Sequence, residues 1–514
     1  MKRLILIFSA LFLFSAFLQT SYAADREQAA LFNLLEKGKR QLYHFRLDSA
    51  MQIFRQVQQQ FPEYPHGFFY EAYLTAIYYS QDRTNSELDS RLQEAVEKAI
   101  DIGKEYESRS GKSADALYYL GVSNGIQGIY HVLNRSYFKG YINGRRGKNY
   151  LEKVVETDSA YYDAYLGLGI FHYYVDLLPG LVKFFAGILG FHGNRGQGMR
   201  EIQLTASRGS LFHVEGQFVF ATIRYFLEGN RSGGLQIFEE LRKAYPDNPA
   251  LTLIIGYHYR RSGNISRAIR YFREVPDAYM DELPQITVVK HYNLVVCNFR
   301  LNKFQKAETL TDSLITWRIR KTPYYQAALA FYKGLLLDLR FEREQAEYFY
   351  NLIRDEKETD YWYAFSRIFV NHPMDSMLYR FVAAENNLLT GNRKKAEPQI
   401  QKLVDDMLQN PRRTFSDLQF LVQDLYARLL FARRDFPESA QIYAGFIDNL
   451  NNFEDKFQRS WIYIHYARVL RELQSWESAG KMLEKAEDTD DEYTHIIIER
   501  EKFLLQQRQE QFKS

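Results

Sequence analysis

The sequence predicts an all-α chain whose helix–turn–helix units stack into a right-handed superhelix, an α-solenoid. Three observations predict it. Small residues recur at a spacing of twelve, each followed four positions later by a large side chain. Aromatic content is high and proline scarce, with 39 Tyr and 38 Phe against 12 Pro. The alternating Val, Ile and Thr runs that mark strands are missing.

The first element stands outside the fold. Lys2 and Arg3 precede an almost wholly apolar run from Leu4 to Leu18, and the small residues Ser21 and Ala23 follow. This is the pattern of a secretory signal peptide over residues 1–23, cleaved after Ala23. The run holds about 15 residues, short of the roughly 20 that a spanning helix needs, which disfavours an uncleaved anchor. The mature chain is therefore expected to be exported and soluble. With one cysteine and so no internal disulfide, a bacterial periplasm is its expected compartment. That cysteine, Cys297, lies among Leu294, Val295, Val296 and Phe299 and reads as a buried apolar thiol. Loss of Lys2 and Arg3 takes the formal charge from +3 to +1, which excludes a general attraction for nucleic acid.

The repeats follow in order. A unit of about 34 residues needs a small residue where its second helix crosses the first, another twelve later, and a large residue four after that. Gly38, Ala50 and Phe54 satisfy this, with Pro62 closing the unit. Gly256, Ala268 and Phe272 repeat it, as do Gly334, Ala346 and Tyr350, then Ala384, Ala396 and Ile400, then Ala467, Ala479 and Leu483. Less complete copies run through Thr222, Gly234 and Phe238, and through Val295 and Ala307. This is the tetratricopeptide-type pattern, and it predicts one continuous superhelix. The expected organisation is N-terminal helical repeats over 24–117, enlarged glycine-rich hairpins over 118–205, tetratricopeptide-like repeats over 206–490, and a capping helix over 491–514 with one wet face.

The middle segment is written twice. Tyr119-Leu120-Gly121 matches Tyr165-Leu166-Gly167, and Gly144-Arg145-Arg146-Gly147 matches Gly193-Asn194-Arg195-Gly196. Here the chain resembles the inclusion-body-clearance family, the eukaryotic tetratricopeptide proteins of the mitochondrial outer membrane and their animal relatives. The first resemblance is Ser136-Tyr137-Phe138-Lys139-Gly140 followed by Arg145, Arg146 and Tyr150. The second runs from Gly167-Leu168-Gly169-Ile170-Phe171 through Leu177-Leu178-Pro179 and Lys183 to Gly190-Phe191-His192-Gly193-Asn194-Arg195 and Gly198. The chain departs from the family at Asn194, Gly180 and His172, where the family has an acid, a proline and an asparagine. The resemblance implies a repeat scaffold, linked in that family to lipid bodies and protein inclusions, without a catalytic residue. An exported protein would not share that setting, so only the fold is carried over. The motif residues Lys139, Arg145, Arg146, Pro179, Lys183 and Arg195 are expected at its turns. There, backbone N–H groups near Arg195 could hold an anion, or the glycines could serve only close helix crossing.

No catalytic or metal-binding constellation emerges. Gly111-Lys112-Ser113 lacks the leading glycine and preceding strand of a phosphate loop, and Gly167-x-Gly169 lies inside a helix. Glu63 and His66 are separated by Pro65, and Glu492 with His495 stands alone. His172, among Phe171, Tyr173 and Tyr174, reads as a packed histidine rather than a base. The chain is accordingly read as a non-enzyme without cofactor or metal: an exported scaffold that binds protein or peptide partners through the concave face of its superhelix. In that register the face carries Tyr257, Arg260 and Arg261, Phe331, and Trp461, Arg468 and Arg471, suited to an extended peptide bearing carboxylates. Two alternatives remain. One is a membrane- or lipid-associated protein that docks through the apolar insert 177–191; the other, more remote, is a glycan-handling protein.

Overall fold

The computed structural model describes residues 26–176, 193–279, 283–318, 321–409 and 416–513. The signal-peptide assignment, the apolar insert 177–191, and Pro179 and Lys183 lie outside them. Among the described residues the chain is all-α, with no strand.

Local chemistry sets the helix starts. Asn85 accepts from the backbone N–H groups of Glu87 and Leu88, Ser113 from that of Ala116, Asn264 from Arg267, and Asp375 from Met377 and Leu378. Each satisfies donors that the first helical turn leaves without partners. Pro284 and Pro323 sit in the first turn of their helices, where a missing N–H costs nothing.

The predicted spacing is a packing rule. Gly38 backs onto the Phe54 ring so closely that a Cβ would lie 2.4 Å from it; Gly256 meets Phe272 at 2.6 Å and Gly334 meets Tyr350 at 2.7 Å. Ala50, Ala268, Ala346, Ala384, Ala396 and Ala479 are fully buried. The rule also recovers copies that the sequence had hidden. Ala427, Ser439 and Tyr443 form one, with the Ser439 hydroxyl donating to the Ala427 carbonyl at 2.8 Å. Gly128 and Gly140 keep the spacing of twelve in another, where backbone takes the place of the large side chain: a Cβ on Gly128 would lie 2.9 Å from the Gly144 nitrogen. Seven residues after the small residue the chain turns left-handed: at Phe45, Arg135, Gly229, Gly263, Asn302, Phe341, Gly391, Arg434 and Gln474.

The chain divides into two compact units. The first runs to Ile223 and includes Gln236–Asn248. It pairs the 26–43 helix with Leu47–Gln60, His66–Gln81 with Ser86–Ser110, Ala114–Leu133 with Tyr137–Thr157, and Ala164–Asp176 with Arg195–Arg208. Its core stacks Phe54 on Tyr70 at 4.8 Å and Tyr70 on Phe212 at 6.0 Å. Lys39 is buried there, 4.0 Å from the Phe212 ring centre and 3.1 Å from the Glu215 carboxylate.

The second unit holds Arg224–Leu235 and the chain from Pro249 onward. Among the described residues six pairs and two single helices build it: Pro249–Arg261 with Ile265–Glu274, Pro284–Arg300 with Phe304–Thr316, Pro323–Asp338 with Arg343–Tyr350, Asp360–Asn371 alone, Ser376–Leu389 with Arg393–Gln409, Ser416–Arg433 with Phe436–Phe446, Lys456–Glu472 with Trp476–Lys485, and Glu492–Lys513 alone. The last helix is more than a wet cap, because its Glu501 is 2% exposed.

Candidate functional site: an arginine and tyrosine ribbon

Within the second unit, the C-terminal ends of two helices bring arginines together. Arg260 and Arg261 close the Pro249–Arg261 helix, and Arg300 closes Pro284–Arg300. A helix C-terminus favours a cation, so each position is locally stable. Arg260 lies 5.1 Å from the Tyr257 ring centre, and Tyr292, Tyr324, Tyr325 and Tyr332 all feel its charge. Burial holds the Arg300 guanidinium below its ordinary value, and repulsion from Arg260 adds to the effect. Neither arginine has a carboxylate within ion-pair distance among the described residues, and the Arg260 Nε is buried without a hydrogen-bond partner.

A second group adjoins it. Arg468 donates to Glu501 from Nε at 3.1 Å and from a terminal nitrogen at 2.9 Å, and Arg471 and Arg500 bind the same carboxylate at 2.6 and 3.0 Å. Burial works to raise the Glu501 carboxyl, but the three guanidinium groups more than offset it and hold it at about 2. Arg231 and Arg261 contribute further positive charge, and burial together with Arg261 lowers Arg231. Arg261 donates to the Tyr257 hydroxyl at 2.9 Å and the Tyr493 hydroxyl at 3.4 Å, with no carboxylate of its own.

His465 lies within the fields of both Arg428 and Arg468. It contacts Asp424 at 3.0 Å, and Arg428 binds Asp424 and Glu385 at 3.3 and 2.7 Å. The carboxylates Glu385, Asp424 and Glu501 are therefore all engaged; Glu385 acts only at a distance on Arg300 and Glu501 on Arg231, so among the described residues Arg260, Arg300, Arg231 and Arg261 outnumber their carboxylates beside tyrosine.

The expected partner-binding residues divide. Tyr257, Arg260 and Arg261 do come together. Phe331 does not belong with them: it is 1% exposed and packs 4.9 Å from Phe365 and 5.4 Å from Trp362. Three residues before Gly334, it faces the next helix rather than a groove. Trp461 is half-buried beside Phe457 and His465. Arg468 and Arg471 are committed to Glu501, so they anchor the last helix before they can serve a partner. Sequence spacing missed Arg300 and Arg231, which stand at helix ends in other repeats.

Residues 154–357 match the family model described as Iml2/Tetratricopeptide repeat protein 39. That segment, about two fifths of the chain, is what the family model resembles. A sequence comparison with curated proteins gives no match. Among solved structures the chain is similar to yeast Tom70, at 12% identity and a TM-score of 0.26 over 95% of this chain and 97% of that one. It is also similar to the human IFIT1 dimer with m7Gppp-AAAA, at 14% identity and a TM-score of 0.35 over 79% and 87%. A tetratricopeptide repeat protein from Parabacteroides merdae matches at 15% identity and a TM-score of 0.22 over 57% and 98%.

Among the described residues, the motif residues Lys139, Arg145, Arg146 and Arg195 lie on helices and not at turns. Lys139, Arg145 and Arg146 lie inside the Tyr137–Thr157 helix, where Gly140 and Gly147 serve close crossing with the preceding helix. Arg195 opens its helix over the Tyr173 ring at 5.2 Å. The helix start that could have held an anion is capped from within, the Asn194 side chain accepting from the Gln197 N–H at 2.9 Å.

His172 pairs with Glu201 at 2.7 Å, and His66 faces Asp115 at 3.4 Å. Burial pushes the Cys297 thiol up to about 11. Among the described residues no cluster of His, Cys, Asp or Glu is placed to hold a metal, and no helix is long and apolar enough to cross a membrane.

Proposed function

We propose that the protein is an exported, non-catalytic scaffold whose arginine and tyrosine ribbon receives an acidic segment of a protein partner. The tetratricopeptide fold is consistent with an interaction scaffold. The observation that carries the finer reading is the pair Arg260 and Arg300. Two half-buried guanidinium groups repel one another with no ion-paired carboxylate among the described residues, and Glu385, already held by Arg428, only partly offsets the charge at Arg300, which costs stability unless a ligand supplies the rest. Tyrosine faces beside guanidinium forks suit an extended peptide with side-chain or terminal carboxylates. A periplasmic location follows from the leader pattern of residues 1–23 and stands as part of the proposal.

Partner recovery from the native host tests this. A charge-assisted hydrogen bond contributes roughly 1.5–3 kcal/mol, so Arg260→Ala with Arg261→Ala should weaken capture more than tenfold. Helical circular dichroism should be unchanged. Undiminished recovery of every partner removes this ribbon from the function.

A further inference from the structure

The hairpin formed by Ala114–Leu133 and Tyr137–Thr157 in the first unit ends in a tip that the packing of that unit does not explain. Ile129, Val132 and Leu133 in the last turn of one helix are 55%, 48% and 40% exposed, and Tyr137 and Phe138 in the first turn of the other are 61% and 75% exposed. Five large apolar side chains thus crowd ten residues of open surface. A patch of this kind marks a contact site.

The tip itself is well built. Arg135 turns left-handed at φ 59°, the Ser136 N–H donates to the His131 carbonyl at 2.8 Å, and the Tyr79 hydroxyl donates to the Asn134 side chain at 2.8 Å. Val132 packs against Gly140. The exposed rings are therefore held outward by a tied turn.

Charge identifies the occupant. No Asp or Glu occurs between Asp115 and Glu152, whereas Arg135, Lys139, Arg145, Arg146 and Lys148 do. Arg135, Lys139 and Arg146 are exposed and make no ion pair among the described residues. Asp89 of the neighbouring helix lies behind the tip, where it accepts from Tyr130 at 2.9 Å. Protein interfaces deplete lysine at their centre, whereas a bilayer surface draws aromatics into the headgroup layer and lysine and arginine onto lipid phosphates.

We propose that this tip docks on an anionic lipid surface, with Tyr137, Phe138, Ile129, Val132 and Leu133 entering the headgroup layer and Arg135 and Lys139 pairing with lipid phosphates. The site is separate from the arginine ribbon and does not rest on it.

Vesicle flotation of the full chain tests it, with phosphatidylglycerol–phosphatidylcholine vesicles against phosphatidylcholine alone. Binding should favour the anionic vesicles by about tenfold or more and weaken with added salt. Tyr137→Ser with Phe138→Ser should reduce it by at least about tenfold, and Arg135→Glu with Lys139→Glu should abolish the anionic preference. Because Cys297 is fully buried, Phe138→Cys can carry an environment-sensitive fluorophore, and its emission should shift to the blue on anionic vesicles. No binding, or no shift, overturns the proposal. Loss of flotation in Phe184→Ser with Phe185→Ser alone assigns contact to the apolar insert instead and also overturns it. A tip variant that changes only the oligomeric state in sedimentation assigns the surface to a second copy of the chain.

Discussion

Gly169 and Gly198 meet backbone to backbone: a Cβ on Gly169 would lie 2.7 Å from the Gly198 carbonyl oxygen, and one on Gly198 would lie 2.6 Å from that of Gly169. Neither helix can yield without repacking Ile202 and Tyr173, which are fully buried beside them. Gly198→Ala should therefore destabilise the first unit by about 1–3 kcal/mol. Gly144 supplies the contrast, because a Cβ there would meet nothing within 4 Å. Gly144→Ala should be neutral or stabilising by about 0.5–1 kcal/mol, since alanine loses less backbone freedom in a helix. Thermal melts of the two variants, moving in opposite directions or nearly so, check the pair.

The same contact shows what was legible in the sequence. A small residue matched by a second small one twelve positions later and a large one sixteen later is a packing requirement, so Gly38, Gly256 and Gly334 announced their partners. Ser439 hid its copy by replacing a methyl with a hydroxyl that the Ala427 carbonyl accepts. Gly169 and Gly198 hid theirs by standing 29 apart, with residues 177–192 between. Left-handed turns at Phe45, Phe341, Arg434 and Gln474 carry no glycine to signal them. At the candidate site, the register placed Tyr257, Arg260 and Arg261 together. It could not show that Arg468 and Arg471 bind Glu501, whose helix lies some thirty residues further on and is positioned only by tertiary packing.

Asp455 is a cap with a cost. Its side chain accepts from the Gln458 N–H at 3.0 Å, yet burial pushes the carboxyl up to about 6, and Asp417 adds repulsion. A folded value above the unfolded one means that ionisation opposes folding. The penalty is absent near pH 4, grows as pH rises to about 6, and is constant above that. Asparagine keeps the accepting oxygen without the charge. Asp455→Asn should therefore raise stability by roughly 1–2 kcal/mol at pH 7.5 and leave it unchanged near pH 4. Denaturant titrations at the two pH values decide the matter.

Glu501 has the opposite sign. Burial works against its charge, but Arg468, Arg471 and Arg500 hold it at about 2, so its folded value lies below the unfolded one. The stabilisation is present above about pH 4.5 and is lost as pH falls toward 2. Glu501→Gln strands three crowded guanidinium groups next to Arg231 and Arg261 and should cost about 3–5 kcal/mol at neutral pH. The loss should appear first as exchange of amide protons in Glu492–Lys513, the helix that carries the carboxylate. An unchanged melt would show that solvent, not Glu501, neutralises the arginines.

Arg260 is predicted to behave unlike Arg468 although both belong to the ribbon. Arg468 has Glu501, whereas Arg260 has a tyrosine ring, a buried Nε without a partner, and Arg300 repelling it. A side chain in that position subtracts from stability and persists only where function needs it. Arg260→Met keeps the stem over Tyr257 and removes the charge. It should leave the melt unchanged or raise stability by about 0.5–1 kcal/mol, while recovery of acidic partners falls. Arg468→Ala should do the reverse in stability, lowering the melt through the loss of Glu501's partner. If Arg260→Met instead destabilises the second unit by more than about 1 kcal/mol, the guanidinium is a packing group and the excess charge of the ribbon is incidental to binding.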